Sequence, residues 1–248
     1  MGPEIFNYKI LAFDTSGDFG VAGTVRGMEL VEKMAGKSPR AASEGLLPWI
    51  MEVTGRSGWK PADLDLIAVG SGPGSFTGTR IAVAVAKGLA EVLSIPLVSV
   101  SSVEAAALTW GKPGTRIAVV MDARKGEVMM GVYDIVVGKE TGGVEHPELP
   151  EARVVDPPSL FSPGEAARRL KRLSRTSSSL SVCGNGESAD PHMFDDLRSE
   201  LSIVGKPEWL LVDPLAIAQL AVKRFMEGQK DDPSKLEPVY LRTISNLR

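Results

Sequence analysis

The stretch of sequence that most constrains the fold runs from Leu66 to Leu93. It opens with the apolar run Leu-Ile-Ala-Val, which is typical of a buried strand, and continues into a glycine-rich loop. From Ile81 onward, apolar residues recur every three or four positions, and this spacing predicts a helix. Because glycines accept positive φ angles and close backbone approach, the chain can turn sharply between the strand and the helix.

The glycine loop supports two hypotheses. Free N–H groups at a helix start can hold an anion, and the candidate ligand-binding residues in the loop are then Gly72, Gly74 and Ser75. The spacing matches neither the Walker phosphate loop nor the dinucleotide fingerprint. The alternative is a tight strand-to-helix turn in which the glycines, including Gly78, matter for shape. We favour the second hypothesis on glycine content alone.

The predicted elements follow the same order twice, β-β-β-α-β-α, which indicates an α/β protein with two mixed sheets and helical crossovers. Duplicated lobes of this kind belong to the two-lobed actin, Hsp70 and sugar-kinase-like (ASKHA) fold. We expect the lobes to comprise residues 1–110 and 111–248, with the final helix, Pro214 to Glu227, packing back across the lobes. In the second lobe, the composition of residues 137–152 predicts a surface loop. Arg153 to Val155 are predicted to form a short third strand.

Composition narrows the function classes. The net charge of −3 and the pI near 5.6 argue against broad nucleic-acid binding by this chain alone. No apolar run approaches the length that spans a bilayer, and no secretion signal is visible at the N-terminus. The single cysteine, Cys183, cannot form an internal disulfide. We therefore expect a cytoplasmic protein with no membrane partner.

The full residue order of the loop is more specific to one protein family than its glycine content. Gly-Ser-Gly-Pro-Gly-Ser-Phe-Thr-Gly-Thr-Arg, from Gly70 to Arg80, resembles the Gly-x-Gly-Pro-Gly-Ser-Phe-Thr-Gly-x-Arg motif of the bacterial TsaB (YeaZ) family. Residues 137–235 carry little that matches this family, but the matches elsewhere follow the family order. Four more segments are similar to it: Ile10 to Ser16, Ser43 to Pro48, Asp122 to Val128, and Pro238 to Arg242.

The resemblance implies a non-catalytic subunit. Such a subunit acts as a scaffold or activator for a TsaD-type transferase, which threonylcarbamoylates N6 of adenosine 37 in tRNAs that read ANN codons. A TsaE-type ATPase completes the machinery. We accordingly expect a heterodimer with the transferase, a homodimer when the chain is alone, and contact with tRNA only through the complex.

Histidine content argues against a metal site. The related catalytic subunit and the supposed M22 peptidases carry a His-x-x-x-His pair on the first helix, a spacing at which two side chains can bind one ion. Here the only histidines are His146 and His192, far from that helix, and Ala42 stands where the TsaB family usually has a His. We therefore expect no metal, no peptidase activity and no catalytic residue.

The end of the first strand carries the remaining candidate ligand residues, Asp14 and Thr15. In the wider fold, this hairpin and its counterpart in the second lobe, at Asp122 to Arg124, hold nucleotide phosphates. Asp14 either holds a metal-bound water or caps its own turn through the N–H of Ser16 or Gly17, and we favour the cap. We expect no required cofactor, with weak nucleotide binding possible. The runner-up function is accordingly a small-molecule kinase or ATPase.

The resemblance also implies pairing through two helices. The helix after the glycine loop is unusually slim, so another helix can approach it closely. The alternative is that all of its sides pack inside one lobe. We favour a partner interface formed by Leu46, Trp49, Ile50, Val53, Ala82, Ala84, Ala86 and Gly88.

A basic run marks a later helix. A solvated helical face is the favoured interpretation, and a small contact with the tRNA backbone is the alternative. As an independent nucleic-acid-binding module, the protein is a third and weaker hypothesis. The run consists of Arg168, Arg169, Lys171, Arg172 and Arg175.

Overall fold

The computed structural model describes residues 7–37, 40–137, 149–177, 179–199, 201–203 and 212–242, without the side chains of 40–44. These residues form two compact units. The first holds the described residues of 7–105 and 212–240, and the second most of those between 106 and 203. Within the described ranges, no helix has both the length and the apolar character needed to cross a membrane.

The first unit is built on a five-stranded sheet in the order β3-β2-β1-β4-β5. β2 runs antiparallel to both of its neighbours, whereas β1, β4 and β5 are parallel. A short 3₁₀ helix, Pro61–Asp63, precedes β4. The elements are β1 (Lys9–Asp14), β2 (Phe19–Arg26), β3 (Glu29–Lys37), α1 (Arg40–Arg56), β4 (Leu66–Gly70), α2 (Phe76–Leu93), β5 (Leu97–Val100) and α3 (Ser102–Trp110).

The second unit repeats this strand order. Its sheet runs β10-β9-β6-β7-β8, with β6 and β7 antiparallel and β6, β9 and β10 parallel. The α/β class and the duplicated arrangement expected from the sequence are thereby confirmed. The elements are β6 (Arg116–Asp122), β7 (Val128–Val137), β8 (Pro150–Phe161), α4 (Pro163–Ser174), β9 (Leu180–Cys183) and β10 (Ser202–Ile203), with 3₁₀ helices at Gly186–Ser188 and Asp195–Leu197.

The last described helix, α5 (Pro214–Met226), belongs to the first unit. Asp213 caps it by accepting a 2.9 Å hydrogen bond from the backbone N–H of Leu215, and proline occupies its first turn. The helix packs on β1, β2, β4 and β5, and buries Ile217 and Ala221 completely. The predicted lobe of residues 111–248 is therefore not one unit, because the sheet of the first unit uses α5 as its cover.

The first sheet is covered on both faces. Leu11 and Phe13 of β1 share an apolar core with α1 and α2. Successive side chains of a strand point to opposite faces. On β2, Ala22 lies in that same core, while a Cβ at Gly23 would meet Pro214 of α5 at 2.7 Å. The two helices α1 and α2 therefore cover one face and α5 covers the other, which makes β1 a buried central strand.

The longest strand differs most from the sequence prediction. The sequence predicts a loop over 137–152 and a strand of three residues, whereas β8 runs for 12 residues from Pro150 to Phe161. Pro157 and Pro158 lie inside it, and proline cannot donate to a sheet ladder. β8 forms the edge of its sheet, where such donors are not needed, so the prolines are tolerated. The short strand β10 was not predicted at all.

Candidate functional site

The candidate site lies where three parallel strands of the first unit end. β1, β4 and β5 are neighbours with the same direction, so their carboxyl ends meet at one edge of the sheet. The segments that follow them are Asp14 to Ser16, the glycine loop from Gly70 to Ser75, and Ser101 to Ser102. The structure brings these segments into direct contact.

Asp14 is at the centre of this edge, with only 2% of its surface exposed. Its Oδ1 accepts a hydrogen bond of 2.5 Å from the backbone N–H of Ser16, and its Oδ2 accepts one of 2.5 Å from Ser102 Oγ. Ser102 Oγ in turn accepts the N–H of Gly72 at 3.0 Å. Burial raises the pKa of Asp14, and the hydrogen bonds from Ser102 and Ser16 partly oppose this.

The space around the carboxylate is filled by the chain itself. A Cβ at Gly70 would overlap the Asp14 side chain, so glycine at this position is what makes room for it. The bond from Ser16 closes a turn of the kind that aspartate side chains commonly form. The geometry therefore favours the cap that we expected for Asp14 over a ligand for a metal-bound water.

Several N–H groups of the glycine loop donate within the protein. Ser71 N donates to the carbonyl of Val100 at 2.9 Å, and Ser75 N donates to the carbonyl of Ser16 at 2.6 Å. Ser75 is the N-cap of α2, and its Oγ accepts from Gly78 N at 3.3 Å. A phosphate cradle needs unpaired N–H groups, and the N–H groups of Ser71, Ser75 and Gly78 are already used within the protein.

Thr15 fixes the first turn of α2 against the end of β1. Its buried hydroxyl donates to the carbonyl of Gly78 at 2.6 Å. A Cβ at Gly78 would overlap the Thr15 carbonyl, and one at Gly74 would lie 2.5 Å from the carbonyl of Ser16. The five predicted ligand residues therefore lie together, but their observed contacts are internal. This supports the shape hypothesis.

The segment near the end of the described chain lies over the glycine loop. Val239 N donates to the carbonyl of Ser71 at 2.8 Å. Arg80 stacks on Phe76, 3.7 Å from the ring centroid, and its Nε donates to Tyr240 Oη at 2.9 Å. The sequence identified Pro238 to Arg242 as a motif but did not show where in the fold it lies. The structure shows that part of the motif holds the start of α2.

The corresponding hairpin of the second unit is also closed by its own residues. Asp122 Oδ1 accepts from Arg124 N at 2.7 Å, and Asp122 N donates to Asn185 Oδ1 at 2.9 Å. Arg242 donates to the carbonyl of Arg124 at 3.1 Å and forms an ion pair with Glu127. The residues at the second predicted phosphate-binding position are thus used, like Asp14, to shape a turn.

Most of the predicted partner interface lies inside the first unit. Leu46, Ile50, Val53, Ala82 and Ala86 are each at most 3% exposed and pack in the core between the sheet and the two helices. Trp49 packs on β3, where a Cβ at Gly36 would meet its ring at 2.7 Å. The interface prediction is therefore wrong for the five buried residues, whereas Trp49 is half-buried against the same core. Ala84 and Gly88 do face outward.

A different set of residues forms the outer face of the helix pair. Leu47 and Met51 are 51% and 58% exposed. Because a helix turns about 100° per residue, both lie on the flank of α1 opposite Trp49 and therefore on the side of α2. Nothing lies within 4 Å of a Cβ built at Gly55 or Gly88. We call Leu47, Met51, Gly55, Ala84 and Gly88 the outer helix face.

The remaining candidate groups have structural roles. Cys183 is buried, and burial raises the pKa of its thiol to about 12. His192 is exposed, and its Nδ1 lies 2.8 Å from Asp195 Oδ2, a contact that raises the pKa of His192. His146 and the side chain of Ala42 lie outside the described residues. Where the structure is described, no three His, Cys, Asp or Glu side chains form a group that could hold a metal ion.

Comparison with known proteins decides the family. The chain is 33% identical over 207 residues to the tRNA threonylcarbamoyladenosine biosynthesis protein TsaB of Escherichia coli, and the match covers 82% of each chain. The chain belongs to the TsaB family. The Bacillus subtilis TsaB is 28% identical over 234 residues, which are 94% of this chain and 93% of that protein. A family model described as TsaD, tRNA N6-adenosine threonylcarbamoyltransferase, matches residues 28–145.

Solved structures of similar proteins support the TsaB fold. YeaZ from Pseudomonas aeruginosa has a TM-score of 0.71 at 23% identity, over 94% of this chain and all of that one. A second structure, described as an uncharacterised protein with similarity to peptidase YeaZ from the same organism, gives 0.73 at 24% identity, over 95% of this chain and all of that one. The resemblance first drawn from the glycine-loop motif is thereby confirmed.

Replacement of Gly72 tests the shape hypothesis. Gly72 has a φ of 93°, and a Cβ there would lie 2.8 Å from the carbonyl of Val239. Gly72→Ala should therefore lower the free energy of unfolding by about 1 to 3 kcal/mol in urea denaturation. The control, Gly164→Ala, meets only the tip of a flexible arginine at 3.7 Å and should be neutral or stabilising. Unchanged stability of Gly72→Ala would contradict the hypothesis.

The raised pKa of Asp14 predicts a dependence of stability on pH. As the pH rises from about 4, the unfolded carboxyl ionises while the buried one resists, so the free energy of unfolding of the wild type should fall. Asp14→Asn removes this titration, so its stability relative to wild type should improve as the pH rises from 4 to 8. Urea denaturation at several pH values measures it, with the exposed Asp196→Asn as control. A pH-independent difference between Asp14→Asn and wild type would refute the burial effect.

Proposed function

We propose that this chain is a non-catalytic subunit required for threonylcarbamoylation of N6 of adenosine 37 in ANN-decoding tRNAs. It acts as a scaffold or activator of a TsaD-type transferase. The observation that carries the proposal is membership of the TsaB family, whose named relatives are tRNA threonylcarbamoyladenosine biosynthesis proteins. The match of residues 28–145 to the TsaD family model supports a partner of related fold.

The non-catalytic role is supported by how the strand-end site is occupied. Both oxygens of Asp14 accept hydrogen bonds from within the chain, and Ser102, the hydroxyl beside it, is shared with Gly72. Ser102 and Asp14 are each only 2% exposed, so this hydroxyl–carboxylate pair is closed to a substrate, and the neighbouring Thr15 donates to a backbone carbonyl. We accordingly propose that no cofactor is required, and that a nucleotide, if it binds, does so weakly.

The outer helix face is the surface that we propose for pairing. Leu47 and Met51 expose apolar side chains, and Gly55, Ala84 and Gly88 leave room for a helix of a second chain to approach closely. An exposed apolar patch beside such a slim surface is typical of an interface. We propose that it binds the TsaD-type transferase in the complex and a second copy of this chain when the transferase is absent.

The same proposal defines the other partners. A TsaE-type ATPase completes the machinery, and tRNA reaches this chain only within the complex. Since tRNA is modified in the bacterial cytoplasm, the proposed role places the chain there.

The activity proposal is tested with purified components. The isolated chain, given tRNA and threonylcarbamoyl-adenylate, should form no modified tRNA, because the Ser102 hydroxyl and the Asp14 carboxylate of the strand-end site are buried where a substrate does not reach them. Adding the TsaD-type transferase and the TsaE-type ATPase to this chain should give modified tRNA. Leaving this chain out of the mixture should abolish the product. Product from the isolated chain at the rate of the full mixture would refute the non-catalytic role. Turnover of ATP by the isolated chain would instead favour a small-molecule kinase or ATPase.

The pairing surface is tested with two charge insertions. Ala84→Arg and Gly88→Arg each place a guanidinium on the outer helix face, where a partner would desolvate it, so pairing should weaken by about tenfold or more. Light scattering reports the homodimer, and pull-down reports the transferase. The control is Ala62→Arg, at an exposed position of the 3₁₀ helix before β4. If both variants stay folded and pair like the control, the interface lies elsewhere.

A further inference from the structure

One face of α4 and its C-cap residue carries three exposed arginines. Arg168, Arg172 and Arg175 are spaced by four and three residues, so they align along one side of the helix over about 10 Å. The opposite side is apolar and buries Ala166 and Leu170 in the core of the second unit. The helix therefore has one face that packs and one that presents positive charge to solvent.

These three arginines have no partner among the described residues, and this separates them from the other arginines whose side chains the structure describes. Their neighbour Arg169 is held by Asp156 at 2.8 Å and by the ring of Phe161 at 4.9 Å. Further arginines whose side chains bind carboxylates are Arg56, Arg116, Arg124, Arg153, Arg198 and Arg242. In a chain of net charge −3 with enough carboxylates to pair them, the open row on α4 is a local feature.

Two arginines of the row, Arg168 and Arg172, border a shallow depression that does not extend to Arg175. Arg168, Arg169 and Arg172 line an open depression of about 390 Å³, together with Glu165 from the first turn of the helix. Guanidinium groups bind phosphate oxygens through two parallel hydrogen bonds, which suits a chain of phosphates. The chemistry of the face is thus that of a polyanion site.

The composition of the face favours RNA over a membrane. A helix that binds a lipid surface exposes large apolar residues beside its basic ones. The exposed positions of α4 hold Gly164, Glu165, Arg168 and Arg172, and its leucines are buried or half-buried. We propose that the row Arg168, Arg172 and Arg175 binds the sugar–phosphate backbone of tRNA while this chain is in complex with the transferase. This inference rests on the proposed function and adds the surface that holds the substrate.

The test compares two sets of neutral substitutions. The first removes the row with Arg168→Gln, Arg172→Gln and Arg175→Gln. The second removes the same charge at exposed lysines elsewhere, with Lys60→Gln, Lys112→Gln and Lys230→Gln. Each protein is mixed with the transferase, and the affinity for labelled tRNA is measured by fluorescence anisotropy across a series of KCl concentrations.

We expect the arginine set to bind tRNA about tenfold more weakly than wild type. The fall of the logarithm of the association constant with log [KCl] should also become shallower by about 2, because three phosphate contacts are lost. The lysine set should resemble wild type. Equal losses in both sets would mean that only net charge matters and would overturn the proposal, as would unchanged tRNA binding by the arginine set. Binding of wild type, but not the arginine set, to phosphatidylserine vesicles with no difference on tRNA would assign the face to a membrane instead.

Two further readouts distinguish tRNA binding from a structural role of the arginines and from a failure of the subunit as a whole. Basic residues in the last turn also stabilise a helix by interacting with its dipole, and that role would lower the Tm of the arginine set without altering the salt dependence of tRNA binding. Threonylcarbamoylation is measured in parallel at saturating tRNA. If wild type activates the transferase while the arginine set binds tRNA normally, only the tRNA-binding role of the row fails. If wild type itself does not activate it, the proposed function fails.

Discussion

The buried carboxylate of Asp14 is the interaction on which the first unit depends. A carboxylate withdrawn from water must be hydrogen-bonded, and this one is bonded by Ser16 and Ser102, which follow two different strands. Ser102 extends the network to the glycine loop through Gly72. Three strand ends that are distant in sequence are thereby held at one edge. These polar groups are thus used for assembly of the first unit.

Much of the fold could be predicted from the sequence because its signals are local. The apolar run before Gly70 and the helical spacing after Ile81 each specify one element, and the repeated order specifies the two sheets. The predicted extent of β8 failed for a physical reason. Pro157 and Pro158 suggest an early end to β8, but an edge strand does not need their missing donors. The position of α5 depends on which sheet has an uncovered face, and that is a tertiary property.

The site was predictable in its members but not in its contacts. Asp14, Thr15 and the loop glycines were recognised, whereas Ser102 was missed. Its signal was present, since it directly follows a strand parallel to β1 and β4, and parallel neighbours end at a common edge. The helix pair shows the opposite case. Periodicity identified the apolar residues of α1. It could not show whether they pack in the core or contact a partner, because both roles require the same residue types. Only the placement of Trp49 on β3 shows which flank faces outward.

The cover that α5 provides has a consequence for synthesis. A ribosome produces β1 to β5 first, then the segments of the second unit, and α5 only after them. Until that helix emerges, the face of β1 and β2 that it covers has no partner, although α1 and α2 can already pack on the other face. The second unit, by contrast, has both its sheet and α4 available before α5 is made. In a nascent chain of this architecture, the second unit can therefore be complete before the first. In the meantime, the apolar face of the first sheet that α5 covers is exposed to the cell.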